Sequence, residues 1–275
     1  MHALITVAIK EYRDGLRNRW ILAITVLLAA FAVGLSYFGG AASGAVGVTS
    51  LSTTIVSLAS LAIFIIPLVA LMLAYDTLVG EEEQGTLLLL LTYPLTRGQL
   101  LLGKFAGHAA ILATATVIGF GAAGLLVAGA AGELGDAGVW RAFGLFILSS
   151  WLLGCVFLAL AQLISAWAGE KSVAAGVALL VWFWFVLIFD LLLLGALVMA
   201  GGQEGGWLAG LLLLNPTDIF RLVNFVGFEA ARSYTGLTHI AVGPWFQPAA
   251  LLGLLLVWIV VPLLLAQWRF ARRAL

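Results

Sequence analysis

"GEEEQGTLLLLLTYPLTRGQLLLGK", Gly80 to Lys104, is the stretch on which the reading of the whole chain turns. Three glutamates adjoin a run of leucines, and Pro94, Arg97 and Lys104 follow, so the segment must meet both an apolar surface and water. Thr86 to Tyr93 is too short to span, because a helical crossing needs about 20 residues, and Pro94 disfavours helix at Tyr93. The spacing predicts a short helix with Thr86 as its N-cap and Glu81, Glu82 and Glu83 at the positive end of its dipole. Leu87, Leu88, Leu90 and Leu91 make such a helix apolar on nearly every face. It therefore needs burial in lipid headgroups, among neighbouring helices, or in a groove on another protein. Beyond Pro94, Thr96 and Gln99 have the spacing of a capping box, so a new helix starts there and carries Arg97 and Lys104 in its first two turns.

Working outward, 63% of the 275 residues are apolar and only 9% are charged, against about 25% charged in a soluble domain. That composition belongs to an integral membrane protein. Basic and acidic residues number 13 each, so no net basic field points to nucleic acid. A lone cysteine, Cys155, rules out an intrachain disulfide framework. Charge-free runs predict six transmembrane helices, approximately Trp20 to Phe38, Thr54 to Val79, Gly103 to Ala131, Arg141 to Ala166, Val173 to Ala200 and Ala249 to Trp268. They are too long and non-alternating for barrel strands, so the fold class is an all-α polytopic membrane protein. Lys10, Arg13, Arg17, Arg19, Arg97, Lys104, Lys171, Arg269, Arg272 and Arg273 then lie on one side, against Arg141, Arg221 and Arg232 on the other. The excess predicts that both termini are cytoplasmic.

Residues 1–19 form an amphipathic segment, with Leu4, Ile5, Ala8, Ile9, Tyr12 and Leu16 on its apolar side and Lys10, Arg13, Asp14 and Arg17 elsewhere. This predicts an interfacial helix whose basic side is attracted to anionic membrane lipid; a basic anchor that only orients the first span is the simpler reading. The first apolar run, about 19 residues long, exceeds a cleavable signal core of roughly 7 to 15. The division is thus an interfacial helix over 1–19 and a six-helix transmembrane domain over 20–275, with a loop at 80–104 and a long outer connection at 201–248. Within that connection Asn215, Pro216, Asp218 and Arg221 interrupt an apolar stretch, since charges at mid-bilayer cost about 2.5 to 3.5 kcal/mol each on insertion scales. The pattern predicts a short apolar piece dipping towards the membrane, then a helix begun by Pro216, Thr217 and Asp218. With Trp245 near the far end, the connection reads either as a lid over the bundle or as a docking surface for an outside partner.

"GQLLLGK", Gly98 to Lys104, fits the start of a phosphate-binding loop, but Phe105 stands where Ser or Thr is required and no strand precedes it. The chain carries no ATPase site of its own. The same residues carry a family resemblance. Gly80-Glu81, Glu83, Gly85-Thr86-Leu87, Leu90-Leu91, Pro94, Thr96-Arg97 and Gly103-Lys104 resemble the cytoplasmic-loop signature of type-2 ABC transporter permeases. The likeness extends to the N-terminal amphipathic helix, the six spans and the long outer connection. Within the family it is strongest to permeases that serve maturation of nitrous oxide reductase, a copper enzyme.

The resemblance implies a multi-pass protein of the bacterial inner membrane. It implies a dimer with a second copy, seated on a cytoplasmic ABC ATPase dimer that holds the ATP and magnesium, with no cofactor in this chain. Its coupling helix, Gly85 to Tyr93, would occupy the ATPase groove, with Glu81, Glu83, Leu88, Pro94 and Arg97 around it. A periplasmic repeat protein would dock on the 201–248 connection. The chain departs from the family at Glu82, where a basic residue is common, and at Leu88, where an acidic one is common. Those departures imply fewer charge pairs and more apolar insertion at the ATPase contact.

Inside the spans, Asp190 is a carboxylate with no basic partner evident in the pattern, either a functional relay or a hydrogen-bonded acid. His108 reads as a snorkelling or hydrogen-bonded residue near the cytoplasmic interface, and Asp76 as part of the acidic side of the loop. Met72, Met199, Cys155 and the three histidines are scattered singly, whereas a copper path needs soft ligands in rows or pairs. No metal site is expected, and this subunit is not expected to conduct copper. Small residues at Gly103 and Gly107, Ala30 and Gly34, and Gly121 to Gly129 predict close helix contacts, and Pro67 predicts a kink. ATP-driven transport and cargo-free signalling to an outer partner both fit; a membrane enzyme or channel lacking an ATPase fits less well, for want of paired titratable residues within the spans.

Overall fold

The computed structural model describes residues 2–38, 51–199, 210–226 and 246–273, and among them the only regular secondary structure is helical. The helices are α1 (His2–Arg17), α2 (Arg19–Phe38), α3 (Leu51–Ala74), α4 (Val79–Glu83), α5 (Thr86–Leu91), α6 (Arg97–Ala131), α7 (Ala137–Trp167), α8 (Lys171–Phe183), α9 (Phe189–Met199), α10 (Pro216–Val226) and α11 (Pro248–Arg272). A single π turn, Trp184–Ile188, joins α8 to α9. Among the described residues five stretches are long and apolar enough to cross a membrane: Thr53–Glu83, Arg97–Ala131, Ala137–Trp167, Lys171–Met199 and Pro248–Arg272. A sixth arises only if α1 and α2, bent 69° against each other, are counted as one span.

α7 is the central post. Two thirds of its apolar window, 67%, is buried, against 11% for the α8–α9 span at the periphery. Its face carries Phe143, Phe146, Leu153, Val156 and Phe157 into the main cluster, where Phe120 of α6 and Phe220 of α10 flank Phe146. α6 and α7 begin before the expected spans, because Thr96 and Asp136 cap their first turns in the polar loops. Thr96 accepts from Gln99 N and Gln99 Oε1 accepts from Thr96 N, a closed capping box. Asp136 Oδ1 accepts from Gly138 N at 2.7 Å.

Glycine decides where α1 sits. A Cβ on Gly103 would lie 2.8 Å from Val7 Cβ, and one on Gly107 would lie 2.6 Å from Glu11 Cβ and 2.9 Å from Ala8 O. This glycine pair therefore lets α1 press backbone to backbone on α6, as the spacing predicted. The other expected pairs do not all act this way: a Cβ on Gly34, Gly121 or Gly129 would meet nothing within 4 Å. Pro67 is accommodated inside one helical element, and α3 runs on to Ala74, where the turn Tyr75–Leu78 leads into α4. Pro67 deprives Ile63 O of its helical donor, and beside it Trp182 Nε1 donates to Phe64 O at 3.0 Å.

Candidate functional site

The loop between α3 and α6 is built on Ser165, near the end of α7. Its Oγ accepts from Leu78 N at 2.9 Å and Val79 N at 3.1 Å, satisfying two of the orphan donors at the start of α4. α4 then runs to Glu83, and Gly85 turns the corner with φ 70°, a left-handed conformation that favours glycine. Gly85, not Thr86, is the N-cap of α5, and no side chain caps that end. A side-chain N-cap works from extended backbone; the left-handed turn leaves Thr86 inside the helix, where its Oγ1 donates to Glu81 O at 3.1 Å.

The leucines of α5 divide by face. Leu87, 1% exposed, is buried with Leu78, Leu100, Leu101, Ala166, Ala266 and Phe270, and Leu90 and Leu91 pack partly against that cluster. Leu88 and Leu89 point away, 57% and 63% exposed, with Tyr93 beside them at 61%. One side of the short helix is thus anchored to the bundle, and an apolar knob stands free.

Each glutamate binds a different element rather than the dipole of α5. Glu81 Oε1 lies 2.6 Å from Lys104 Nζ of α6, and the same ammonium lies 3.0 Å from Glu11 Oε1 of α1. Glu82 Oε2 stands 2.7 Å from Arg273 Nη2, an ion pair by distance though not an aligned hydrogen bond. Glu83 Oε1 accepts from Lys171 N at 2.7 Å, serving the start of α8, while Lys171 Nζ pairs with Asp76 at 2.7 Å. Burial pushes the Glu11 carboxyl up, but Lys104 and Lys10 outweigh it and hold it below the usual carboxylate value.

Two arginines finish the same end of the bundle. Arg97 Nη1 donates to Phe270 O and Arg273 O, each at 2.7 Å, so it caps the end of α11. Arg273 in turn donates to Ala166 O at 3.1 Å and Ala168 O at 2.8 Å, closing the end of α7. Both described ends of the chain therefore converge on the loop: α1 through Lys104, and Arg273 through Glu82. His108 does not snorkel; it is buried, with Nε2 3.9 Å from Glu11 Oε2.

At the opposite end, Pro216 opens α10 as expected, and Asn215 caps it by accepting from Thr217 N at 3.0 Å. Asp190 has a basic partner after all. Arg221 Nη2 lies 3.0 Å from Asp190 Oδ2 while its Nη1 lies 2.7 Å from Asp218 Oδ1. The π turn supplies a further contact, since Phe185 O accepts from Asn215 Nδ2 at 2.9 Å and Thr217 Oγ1 at 3.2 Å. Asn224 Nδ2 donates to Ser149 Oγ at 3.0 Å, tying α10 to α7. Trp245 lies outside the described residues, as does most of the 201–248 connection. Met72, Cys155, His108 and Met199 fall on α3, α7, α6 and α9.

Glu11, Ser165 and Arg273 are structural residues of the loop that the sequence patterns did not single out. For Glu11 a signal exists: it falls on the helical face of Leu4, Ala8 and Tyr12, an acid where an apolar residue is expected. Ser165 and Arg273 carry none.

Similarity to known proteins agrees with this architecture. The profile described as "ABC-2 family transporter protein" matches residues 5–275. The chain is 55% identical over 274 residues to a protein of Pseudomonas aeruginosa named "Probable ABC transporter permease protein NosY", covering 99% of both. It is also 55% identical over 275 residues to the protein of the same name from Stutzerimonas stutzeri, again covering 99% of both. With its bundle of apolar helices and full-length match, the chain belongs to the ABC-2 family of transporter proteins, as a multi-pass permease of the inner membrane.

Proposed function

We propose that this permease is the membrane half of an ATP-driven complex in which two copies of the chain sit on two copies of a separate ATPase, with α5 as the coupling helix. The observation that carries the reading is the division of α5: Leu87 is anchored in the bundle while Leu88, Leu89 and Tyr93 project from it. An apolar knob fixed to the bundle on one side and seated in a partner's groove on the other moves with that groove, and packed contacts of this kind shift between discrete arrangements. The excess of Lys and Arg on the same side of the bundle supports a cytoplasmic placement of the loop and of both termini. ATP and magnesium belong to the partner; this chain supplies contact and motion.

The complex serves maturation of nitrous oxide reductase, by the likeness of the loop signature and of the full-length relatives named above. Within that role, conformational signalling to a periplasmic partner is favoured by the Asp190–Arg221–Asp218 contacts, which fasten α10 of the outer connection to the α8–α9 span. A movement of that span is passed directly to the outer surface, with or without a cargo. Replacing Leu88 and Leu89 by Asp tests the coupling assignment. A charge placed in an apolar groove costs several kcal/mol, so co-purification of the ATPase weakens on the order of a hundredfold, while the permease stays folded because both side chains are exposed. Undiminished co-purification sinks the assignment. Restoration of nitrous oxide reduction by this chain, in a denitrifying strain lacking its own permease, tests the maturation role.

A further inference from the structure

The charged residues where α1 crosses α6 form one alternating chain. Asp14 Oδ2 stands 3.3 Å from Lys10 Nζ, Lys10 Nζ 3.2 Å from Glu11 Oε1, Glu11 Oε1 3.0 Å from Lys104 Nζ, and Lys104 Nζ 2.6 Å from Glu81 Oε1. Its outer members are open, Lys10 and Asp14 being 56% and 57% exposed, while Lys104 is 4% exposed. Two atoms in the middle are shared: Glu11 Oε1 serves Lys10 and Lys104, and Lys104 Nζ serves Glu11 and Glu81. Whatever draws on one end changes how the charge at the other is satisfied.

The outer end faces a surface of recognisable chemistry. α1 is bent 69° from α2, so it runs nearer the membrane plane than the bilayer normal when α2 crosses. Its free side exposes Ile5, Ile9 and Leu16, and beside them Lys10, Arg13, Arg17 and Arg19 are exposed with Asp14 as the only acid. Arg13, Arg17 and Arg19 enter no ion pair among the described residues. An apolar edge flanked by unpaired cations fits the boundary between acyl chains and anionic headgroups.

We propose that anionic phospholipid headgroups are a regulatory ligand of α1, and that the chain Asp14–Lys10–Glu11–Lys104–Glu81 transmits their binding to the α4–α5 loop. A lipid phosphate that draws Lys10 outward removes one of the two cations on Glu11. Glu11 then takes a larger share of Lys104, and the Lys104–Glu81 contact that holds α4 weakens. The loop is freer to shift where the surface charge of the bilayer is high.

The test uses the full chain in nanodiscs without an ATPase, so its failure is distinct from a failure of the coupling assignment. Hydrogen–deuterium exchange of the amides in 79–91 is compared in phosphatidylcholine alone and in a phosphatidylcholine–phosphatidylglycerol mixture. Exchange is faster in the mixture by about twofold to fivefold, the size expected of losing one partly exposed ion pair. Lys10→Gln, at an exposed position, gives the faster exchange in both bilayers, and Glu11→Gln abolishes the lipid response. Replacing Arg13, Arg17 and Arg19 by Gln reduces the response while leaving the charge chain intact. Inorganic phosphate added to phosphatidylcholine discs leaves exchange unchanged. Equal exchange of the unsubstituted chain in the two bilayers overturns the proposal. So does a response that survives in Lys10→Gln, or one that inorganic phosphate reproduces.

Discussion

Replacing Arg273 by Met and Glu82 by Gln, singly and together, measures how firmly the segment after α11 holds the α4–α5 loop. Arg273 is 11% exposed and its guanidinium reaches Ser165 O at 3.3 Å, Ala166 O at 3.1 Å, Ala168 O at 2.8 Å and Glu82 Oε2 at 2.7 Å. Glu82, 33% exposed, meets one partner there. A pair at the edge of solvent contributes about 1 kcal/mol, and the carbonyl contacts, two of them long, about 2 kcal/mol together. Arg273→Met therefore costs about 3 kcal/mol and Glu82→Gln about 1. Because both single changes remove the same pair, the double variant costs about 3 rather than 4 kcal/mol, a coupling of about 1. By the scaling for domains of comparable length, thermal denaturation in detergent falls by roughly 6–12 °C for Arg273→Met and roughly 2–4 °C for Glu82→Gln. High salt shrinks the coupling but leaves most of the Arg273 effect, which rests on carbonyls. If Arg273→Met costs no more than Glu82→Gln, or if the two effects simply add, Arg273 does not join the loop to the end of α7.

Other perturbations separate the remaining contacts. Gly107→Ala places a Cβ 2.6 Å from Glu11 Cβ and 2.9 Å from Ala8 O, a misfit of about 1–3 kcal/mol that lifts α1 and speeds tryptic cleavage at Arg13 and Arg17. The Glu11 carboxyl is held below its usual value in the folded chain, so its contribution is complete above about pH 4.3, the unfolded value, and is lost as pH falls through the lower folded value. Acid should therefore loosen α1, read as faster amide exchange there, and Glu11→Gln should flatten that dependence. At the other end, Arg221→Gln leaves Asp218, 1% exposed, without its cation and costs about 3 kcal/mol or more. Asp190→Asn leaves the Arg221–Asp218 pair intact and costs about 1, an order that thermal denaturation of the two variants checks.

What was legible in the sequence was local or periodic. The capping box of α6 needs only Thr96 and Gln99, three residues apart, and formed as read; α10 starts at Pro216 as read from Pro216, Thr217 and Asp218, with Asn215 as the cap that the reading did not name. The apolar runs located five of the six expected spans, the run from Trp20 to Phe38 counting only together with α1, and Gly103 with Gly107 located a contact, though not its partner. The Thr86 cap failed because the loop turns through a left-handed Gly85, a backbone choice that no side chain in the stretch dictates. Illegible were the pairings between distant segments. Glu81 to Lys104 crosses 23 positions, Glu11 to Lys104 crosses 93, and the bonds of Arg97 to the last carbonyls cross 173 to 176. Asp190 looked unpaired because Arg221 comes near it only once α10 has folded back onto the π turn.

These pairings explain why an acidic run should precede the apolar helix α5 at all. If Leu87 and its cluster alone held the loop, any displacement would open a cavity in close-packed side chains, and the cost rises steeply with the volume exposed. Contacts open to water behave otherwise: the Glu82–Arg273 pair, with Glu82 33% exposed, is individually weak, and water replaces a lost partner at little cost, whereas Glu81 stays on the buried Lys104. Glu81, Glu82 and Glu83 reach three different elements, α6, the segment after α11, and the start of α8. The α4–α5 unit can therefore exchange one tether while the others hold, with Leu87 as the pivot. A loop tethered this way yields to a push without leaving the bundle, and each tether hands part of the movement to the helix it grips.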